Sequence, residues 1–226
     1  MKLLSVKICF ISIALILTFA ALGSTIGRGD SPDVVTDSMR QRSLISMGDL
    51  ARLDAVFAKA RRGEPIVVAA LGGFITAGGE RTKDPANRYI SQVSKWFQEK
   101  FPNSKVTFVN AGIGSTNSGY GALRVQRDVL SKNPDFVIVE YAVNDWFAGF
   151  LLDDSYEGVL RQILSNPKQP AVMELFFNHP DGNSAQKEQV RLGNYYGLPM
   201  VSFRDVIPPP DLNAVPSPLN KSYPAD

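Results

Sequence analysis

The feature that most constrains the fold is a regular alternation of apolar strands with helices along most of the chain. The strand segments, for example residues 66–71 and 136–141, are continuous apolar runs rather than alternating ones. Such runs are typical of strands buried on both sides, so helices should cover both faces of a parallel sheet. We therefore predict an α/β, flavodoxin-like, doubly wound parallel sheet of about five strands in the order 2-1-3-4-5.

The predicted elements follow one another without an internal repeat. A helix from about Asp37 to Arg62 should precede the sheet, because apolar residues recur there near helical spacing. The proline-rich tail predicts an irregular loop, so the final helix of such a fold is expected to be missing. Strands are predicted at 66–71, 106–109, 136–141, 172–177 and 200–203, and helices at 88–101, 121–131, 155–164 and 185–196.

The N-terminal segment is predicted to direct export. Lys2 and Lys7 precede an apolar run that extends to Gly23, which is the pattern of a secretory signal peptide or of an N-terminal membrane anchor. We expect residues 1–23 to be that segment, 24–36 to be a linker and 37–226 to be one α/β domain that is incomplete at its C-terminus. The protein is then secreted or held at the cell surface.

Composition narrows the chemistry that the chain can perform. The formal net charge of +2 gives no case for nucleic-acid binding, and a small-molecule or glycan partner fits better. The one cysteine, Cys9, lies in the apolar N-terminal run, and His179 is the one histidine. A thiolate or zinc site is therefore not expected, and neither is a cofactor.

Three loops rich in glycine or polar residues follow the first three predicted strands. They read "GGFITAGG", "NAGIGSTNSG" and "AVNDW". In an open parallel sheet, ligands bind beyond the carboxyl ends of the strands, near the point where the strand order reverses. We therefore expect these three loops to lie side by side and to form the functional site.

The three loops resemble the sequence blocks of the SGNH, or GDSL-like, hydrolases. "GGFIT" matches the first block at Gly72, Gly73 and Thr76, and a loop opening with Asn110 matches the second. The third block is matched by the pair Asn144 and Asp145 in "VIVEYAVND". The resemblance implies a serine ester hydrolase, of the esterase or carbohydrate deacetylase class, whose substrate is a small-molecule or glycan ester.

The resemblance also assigns roles to individual positions. It places the oxyanion hole at Asn144 and at Gly114 or Ser115. The alternative role of Asn144 is to cap a turn or the following helix, and Asp145 is expected to cap or stabilise the turn. The position of the family's nucleophilic serine is occupied by Phe74, which has no hydroxyl. Asp226 is the candidate triad aspartate, but the sequence ends before the histidine expected three residues later.

His179 does not fit the missing catalytic histidine. Position 176, three residues earlier, is Phe where the family has the orienting aspartate, and His179 follows the fourth predicted strand rather than the fifth. We interpret it as a polar loop residue. Two hypotheses follow. The protein is either a member of an ester hydrolase lineage that is inactive with this sequence, or a non-catalytic module that binds a glycan or acyl ligand.

Overall fold

The structure is a computed structural model that describes residues 37–78, 84–147 and 152–206. Its strands are β1 (Leu44–Ser46), β2 (Ile66–Gly72), β3 (Val106–Gly112), β4 (Phe136–Glu140), β5 (Ala171–Phe176) and β6 (Met200–Ser202). Its α-helices are α1 (Asp37–Ser43), α2 (Ala51–Arg61), α3 (Phe74–Ala77), α4 (Tyr89–Lys100), α5 (Ser118–Asp128), α6 (Ala142–Asp145), α7 (Leu152–Leu164) and α8 (Gln186–Tyr195). Short 3₁₀ turns lie at Pro85–Asn87 and Leu130–Lys132.

The sheet has the predicted parallel core. Its order is β1-β6-β5-β4-β2-β3, and every pairing from β2 to β6 is parallel. Strands β2 to β6 correspond to the five predicted strands, so the order 2-1-3-4-5 is confirmed. The sequence did not predict β1, which adds to the edge of β6 in an antiparallel direction.

The prediction of one helix from Asp37 to Arg62 is wrong. The chain forms α1, then β1, and begins α2 only after a turn in which Gly48 has a φ of 53°. A Cβ at Gly48 would collide with the backbone of Leu198, so the turn packs closely against the segment that leads into β6. Pairing of Leu44 with Val201 at the sheet edge overrides the helical spacing of the apolar residues.

Two apolar layers enclose the sheet, as continuous strand runs predict. One layer packs α2 and α4 on the sheet through an aromatic cluster of Phe57, Trp96, Phe97 and Phe101. The other layer packs α5, α7 and α8 on the opposite face, with core residues such as Val125, Tyr156, Leu160 and Leu192. Burial of apolar area on both faces is the main force that stabilises such a fold.

A carboxyl group is buried within the second layer. Glu174 of β5 is fully buried next to Tyr156, and a Cβ at Gly193 would collide with its Oε2 atom. Burial raises the pKa of Glu174 to about 8, and the neighbouring Tyr156 hydroxyl offsets part of that rise. The Glu174 side chain is therefore largely protonated at neutral pH.

The predicted N-terminal segment 1–23, the linker 24–36 and the proline-rich tail lie outside the described residues. Within the residues that the structure describes, none of the helices has both the length and the apolar character needed to cross a membrane.

Candidate active site

The three predicted loops meet at the carboxyl edge of the sheet. β2 lies between β3 and β4, and Gly72 pairs with Gly112 on one side and with Glu140 on the other. The segments that follow these strands therefore start side by side, as the sequence predicts. They differ from the prediction in their bounds, because Asn110 is still part of β3 and Asn144 lies in the short helix α6.

Phe74 begins the short helix α3, directly after β2. Its backbone N–H donates to Oδ1 of Asn144 over 3.2 Å, which joins the first loop to the third. Its ring lies over the second loop, since a Cβ added at Gly114 would be 3.9 Å from Phe74 Cδ2. The side chain is 38% exposed. Phe74 thus presents an apolar ring at the point where all three loops meet.

Gly72 and Gly73 allow this close approach of the loops. A Cβ at Gly73 would collide with the side-chain amide of Asn144, and one at Gly72 would collide with the Thr76 side chain. Any larger residue at either position would push the first loop away from its neighbours. The two glycines of the first motif are therefore explained by packing within the site.

Thr76 links the turn after β2 to the end of β4. Its backbone N–H and its hydroxyl both donate to Oε2 of Glu140, over 3.2 and 2.8 Å, and its Oγ1 is 2.8 Å from the Tyr89 hydroxyl. Burial raises the pKa of Glu140 to about 7, while the bonds from Thr76 lower it in part. Glu140 is not among the site residues predicted from the sequence, although a glutamate at the end of an apolar strand is itself a signal of a buried polar contact.

Asn110 of β3 stabilises the same turn. Its Nδ2 donates to the Thr76 carbonyl over 3.0 Å, and its Oδ1 accepts from the backbone N–H of Gly112 over 2.9 Å. Both halves of the amide are thereby used within the protein. Asn110 holds β3 against the end of α3.

The second loop contains a backbone conformation that favours glycine. Ser115 has a φ of 58° and is exposed, and Gly114 beside it is exposed as well. Serine in the left-handed region is strained, whereas glycine is not. Of the two positions proposed for the oxyanion hole, Ser115 has the backbone that a glycine would adopt.

We expect Ser115→Gly to stabilise the protein by roughly 0.5–1 kcal/mol, because relief of the left-handed strain outweighs the extra entropy of glycine in the unfolded chain. Denaturant unfolding measures the difference. Asn133→Gly is a matched control, since Asn133 has a φ of 51° and asparagine adopts this region more readily than serine. A loss of stability in Ser115→Gly alone would show that the serine hydroxyl makes a contact that outweighs the strain.

Asp145 joins two helices rather than capping its own turn. Its Oδ1 accepts from the backbone N–H of Ser118 at the start of α5 over 2.7 Å, and its Oδ2 accepts from Nε2 of Gln189 in α8 over 2.9 Å. It is fully buried, and burial raises its pKa to about 6. With both oxygens bonded inside the protein, Asp145 supports the third loop and does not face the cleft.

His179 is held in a loop, as the sequence predicts. Its Nε2 lies 3.0 Å from the carbonyl oxygen of Val143, and a carbonyl only accepts, so Nε2 carries the hydrogen and donates. The imidazole also packs at right angles to the ring of Phe147, with 5.2 Å between the ring centroids. These contacts engage Nε2 and fix the ring.

Arg124 connects the strand ends that carry the site. This arginine of α5 is 2% exposed, and it donates to the carbonyl of Ala111 over 2.6 Å, to the carbonyl of Gly72 over 3.1 Å and to the Tyr141 hydroxyl over 3.0 Å. It also pairs with Asp128 one turn later. One guanidinium thus links the ends of β2 and β3 to the residue that follows β4.

Asp226, the candidate triad aspartate, lies outside the described residues. Within the three described ranges, histidine, cysteine, aspartate and glutamate side chains do not form a group of three or more that could hold a metal ion.

Comparison with solved structures gives close neighbours for this fold. Two structures of a two-domain esterase active on acetylated mannans, one of them co-crystallised with mannopentaose, are both 36% identical to the chain, with TM-scores of 0.70 and 0.69. Both match 73% of this chain, which spans 45% and 44% of their own lengths. An acetyl xylan esterase is similar in fold, with 21% identity and a TM-score of 0.50 over 62% of this chain and 78% of its own.

Comparison with curated protein sequences gives no significant match. The family comparison, in contrast, matches residues 70–218 to the GDSL-like lipase/acylhydrolase family. That range includes all three loops of the site. The chain therefore belongs to the GDSL-like lipase/acylhydrolase family, the SGNH hydrolases that its sequence motifs predict.

Proposed function

We propose that this member of the family binds an acetylated glycan in the cleft between its three loops and does not hydrolyse it. The observation that carries the proposal is Phe74 at the first position of α3, where the family resemblance puts the nucleophilic serine. A phenyl ring has no lone pair to attack an ester carbonyl. An acyl-enzyme cannot form at this position.

The surroundings of Phe74 support the same proposal. Its backbone N–H is bonded to Asn144 Oδ1, so this amide is engaged within the protein instead of facing an oxyanion. The His179 Nε2 atom is likewise engaged as a donor to Val143 and does not act as a base in this arrangement. The three loops still meet at the carboxyl edge of the sheet, but Phe74 and His179 do not supply the nucleophile and the base that serine catalysis needs.

The proposed ligand class is based on the similar solved structures. The 36% identical two-domain esterase acts on acetylated mannans, which makes an acetylated glycan the first ligand to test for this chain. Such a ligand agrees with the predicted export, which rests on the lysines and the apolar run of residues 1–23. A non-catalytic chain of this kind would retain or recognise the polymer that its relatives deacetylate.

We expect the unmodified chain to hydrolyse p-nitrophenyl acetate and acetylated manno-oligosaccharides no faster than a buffer blank. Phe74→Ser alone should also remain near the blank, because a serine hydroxyl without a free base is a weak nucleophile. Acetate release and calorimetric binding are measured on the same samples. The expected result is binding of the acetylated oligosaccharide without turnover.

Ser115→Ala provides the control for this experiment, because Ser115 has the exposed hydroxyl of the second loop. Robust turnover by the unmodified chain that disappears in Ser115→Ala would place the nucleophile at Ser115 and overturn the proposal. Absence of binding by a folded sample would also contradict it.

A further inference from the structure

Two aromatic residues, Trp146 and Phe147, follow the Asn144-Asp145 pair and are exposed. Trp146 is 45% exposed and Phe147 is 76% exposed. Large rings are seldom left in water side by side without a partner, and an exposed apolar patch next to a ligand cleft marks a binding surface. The family motif ends before these residues, so the resemblance assigns them no role.

The Phe147 ring is fixed although it is exposed. It packs at right angles to His179, whose Nε2 donates to Val143 and whose backbone N–H donates to the Asn183 carbonyl over 2.8 Å. The side chain of Asn178 donates to the His179 carbonyl over 2.6 Å. A ring held in this way presents its surface to a ligand with little loss of conformational entropy on binding.

Exposed apolar residues also follow the other two strands that end at the site. Phe74 and Ile113, each 38% exposed, follow β2 and β3, while Trp146 and Phe147 follow β4 and α6. We call these four residues the apolar rim. The side-chain amide of Asn144 accepts from the backbone N–H of Phe74, one of these four residues.

The polar groups of the described residues beside the rim suit a ligand that is rich in hydroxyl groups. They include the amides of Asn144 and Asn178 and the imidazole of His179, while the nearby Asp145 carboxylate is fully buried with both oxygens bonded. Aromatic faces next to amide groups match a pyranose ring, which has an apolar C–H face and a rim of hydroxyl groups.

We propose that Trp146 and Phe147 form a stacking subsite for a sugar ring of a glycan, next to the Asn144 cleft. This inference rests on the proposed function and identifies the part of the ligand that these residues recognise. The sugar ring stacks on the aromatic faces, and the acyl group lies toward Phe74 and Asn144. Unacetylated glycan should therefore bind through the same two residues.

Tryptophan fluorescence tests the subsite directly. The chain has two tryptophans, and Trp96 is buried in the aromatic cluster of the opposite layer, so a ligand-dependent change reports on Trp146. Titration with unacetylated mannopentaose should give a saturable change in emission. Phe147→Ala should weaken binding at least tenfold, and Trp146→Phe should remove the signal.

Tyr195→Ala is the matched control, because Tyr195 is 79% exposed and lies at the end of α8, beside the opposite edge of the sheet. It should bind mannopentaose as the unmodified chain does. Equal weakening in Tyr195→Ala and Phe147→Ala would overturn the inference, because the effect would then not be local to the rim.

Three further outcomes relate this inference to the proposed function. Binding of acetylated oligosaccharide that is unchanged in both Phe147→Ala and Trp146→Ala overturns the subsite but leaves the proposed function standing. If neither the acetylated nor the unacetylated oligosaccharide binds, both the subsite and the proposed function are overturned. Self-association that Phe147→Ala abolishes, without any sugar response, overturns the subsite and identifies the rim as a contact between copies of this chain.

Discussion

Arg124→Met is expected to lower the free energy of unfolding by about 3 kcal/mol or more. The guanidinium donates to the carbonyls of Gly72 and Ala111 and to the Tyr141 hydroxyl, and all these contacts are buried. Methionine fills a similar volume but removes the donor from the Ala111 carbonyl and the Tyr141 hydroxyl, while the Gly72 carbonyl keeps its bond from the Ile113 backbone N–H. Each buried acceptor that loses its donor costs roughly 1–3 kcal/mol. In a domain of this size the midpoint of thermal unfolding should fall by about 10 °C.

Arg127→Met provides the matched control for this experiment. Arg127 lies on the same helix and pairs with the same Asp128, but its side chain is exposed. An exposed ion pair contributes little, so this variant should leave the free energy of unfolding nearly unchanged. Similar losses in the two variants would show that pairing with Asp128, and not the link between strand ends, is what Arg124 contributes.

Glu174→Gln is expected to make the protein more stable at pH 8 while changing little at pH 5. The folded-state pKa of about 8 lies above the ordinary value of 4.5, so the folded state keeps a proton that the unfolded chain releases between these values. Stability is therefore lost as the pH rises through this window. Glutamine does not titrate, and its advantage at pH 7 should be on the order of 3 kcal/mol.

Urea unfolding at several pH values between 5 and 8 measures this effect. Glu140 and Asp145, whose pKa values are also raised by burial, contribute in the same direction and should leave a smaller pH dependence in the variant. Glu188→Gln, on the exposed side of α8, is the control and should retain the pH dependence of the unmodified chain. A parallel pH profile for Glu174→Gln and the unmodified chain would contradict the buried-acid interpretation.

The sequence predicted the parallel part of the fold because the information is local. The strands β2 to β6 are largely apolar runs, with polar residues such as Thr107 and Asn110 in β3, and each is visible in the sequence without its partner. The longer helices between them have enough residues to show their spacing. β1 has three residues, and its pairing with β6 depends on a segment more than 150 residues later. A sequence pattern within a window of a few residues contains no information about that contact.

The residues of the site also divide into those with a local sequence signal and those without one. The glycines and asparagines of the three loops are conspicuous in the sequence because turns restrict which residues fit. Arg124 carries no such signal, since its partners Ala111 and Gly72 lie 13 and 52 residues away and present only backbone carbonyls. The Phe147 contact with His179 likewise joins two loops that no motif connects.

The turn at Phe74 is held by groups other than the Phe74 side chain. Its bonds come from the backbone of Gly73 and Phe74, from Asn144 and from the link between Thr76 and Glu140. Folding therefore places little demand on the side chain at position 74. In the genetic code, phenylalanine and serine codons differ by a single base, so a lineage can lose or regain a hydroxyl at this position by point mutation while the scaffold around it remains under its own selection.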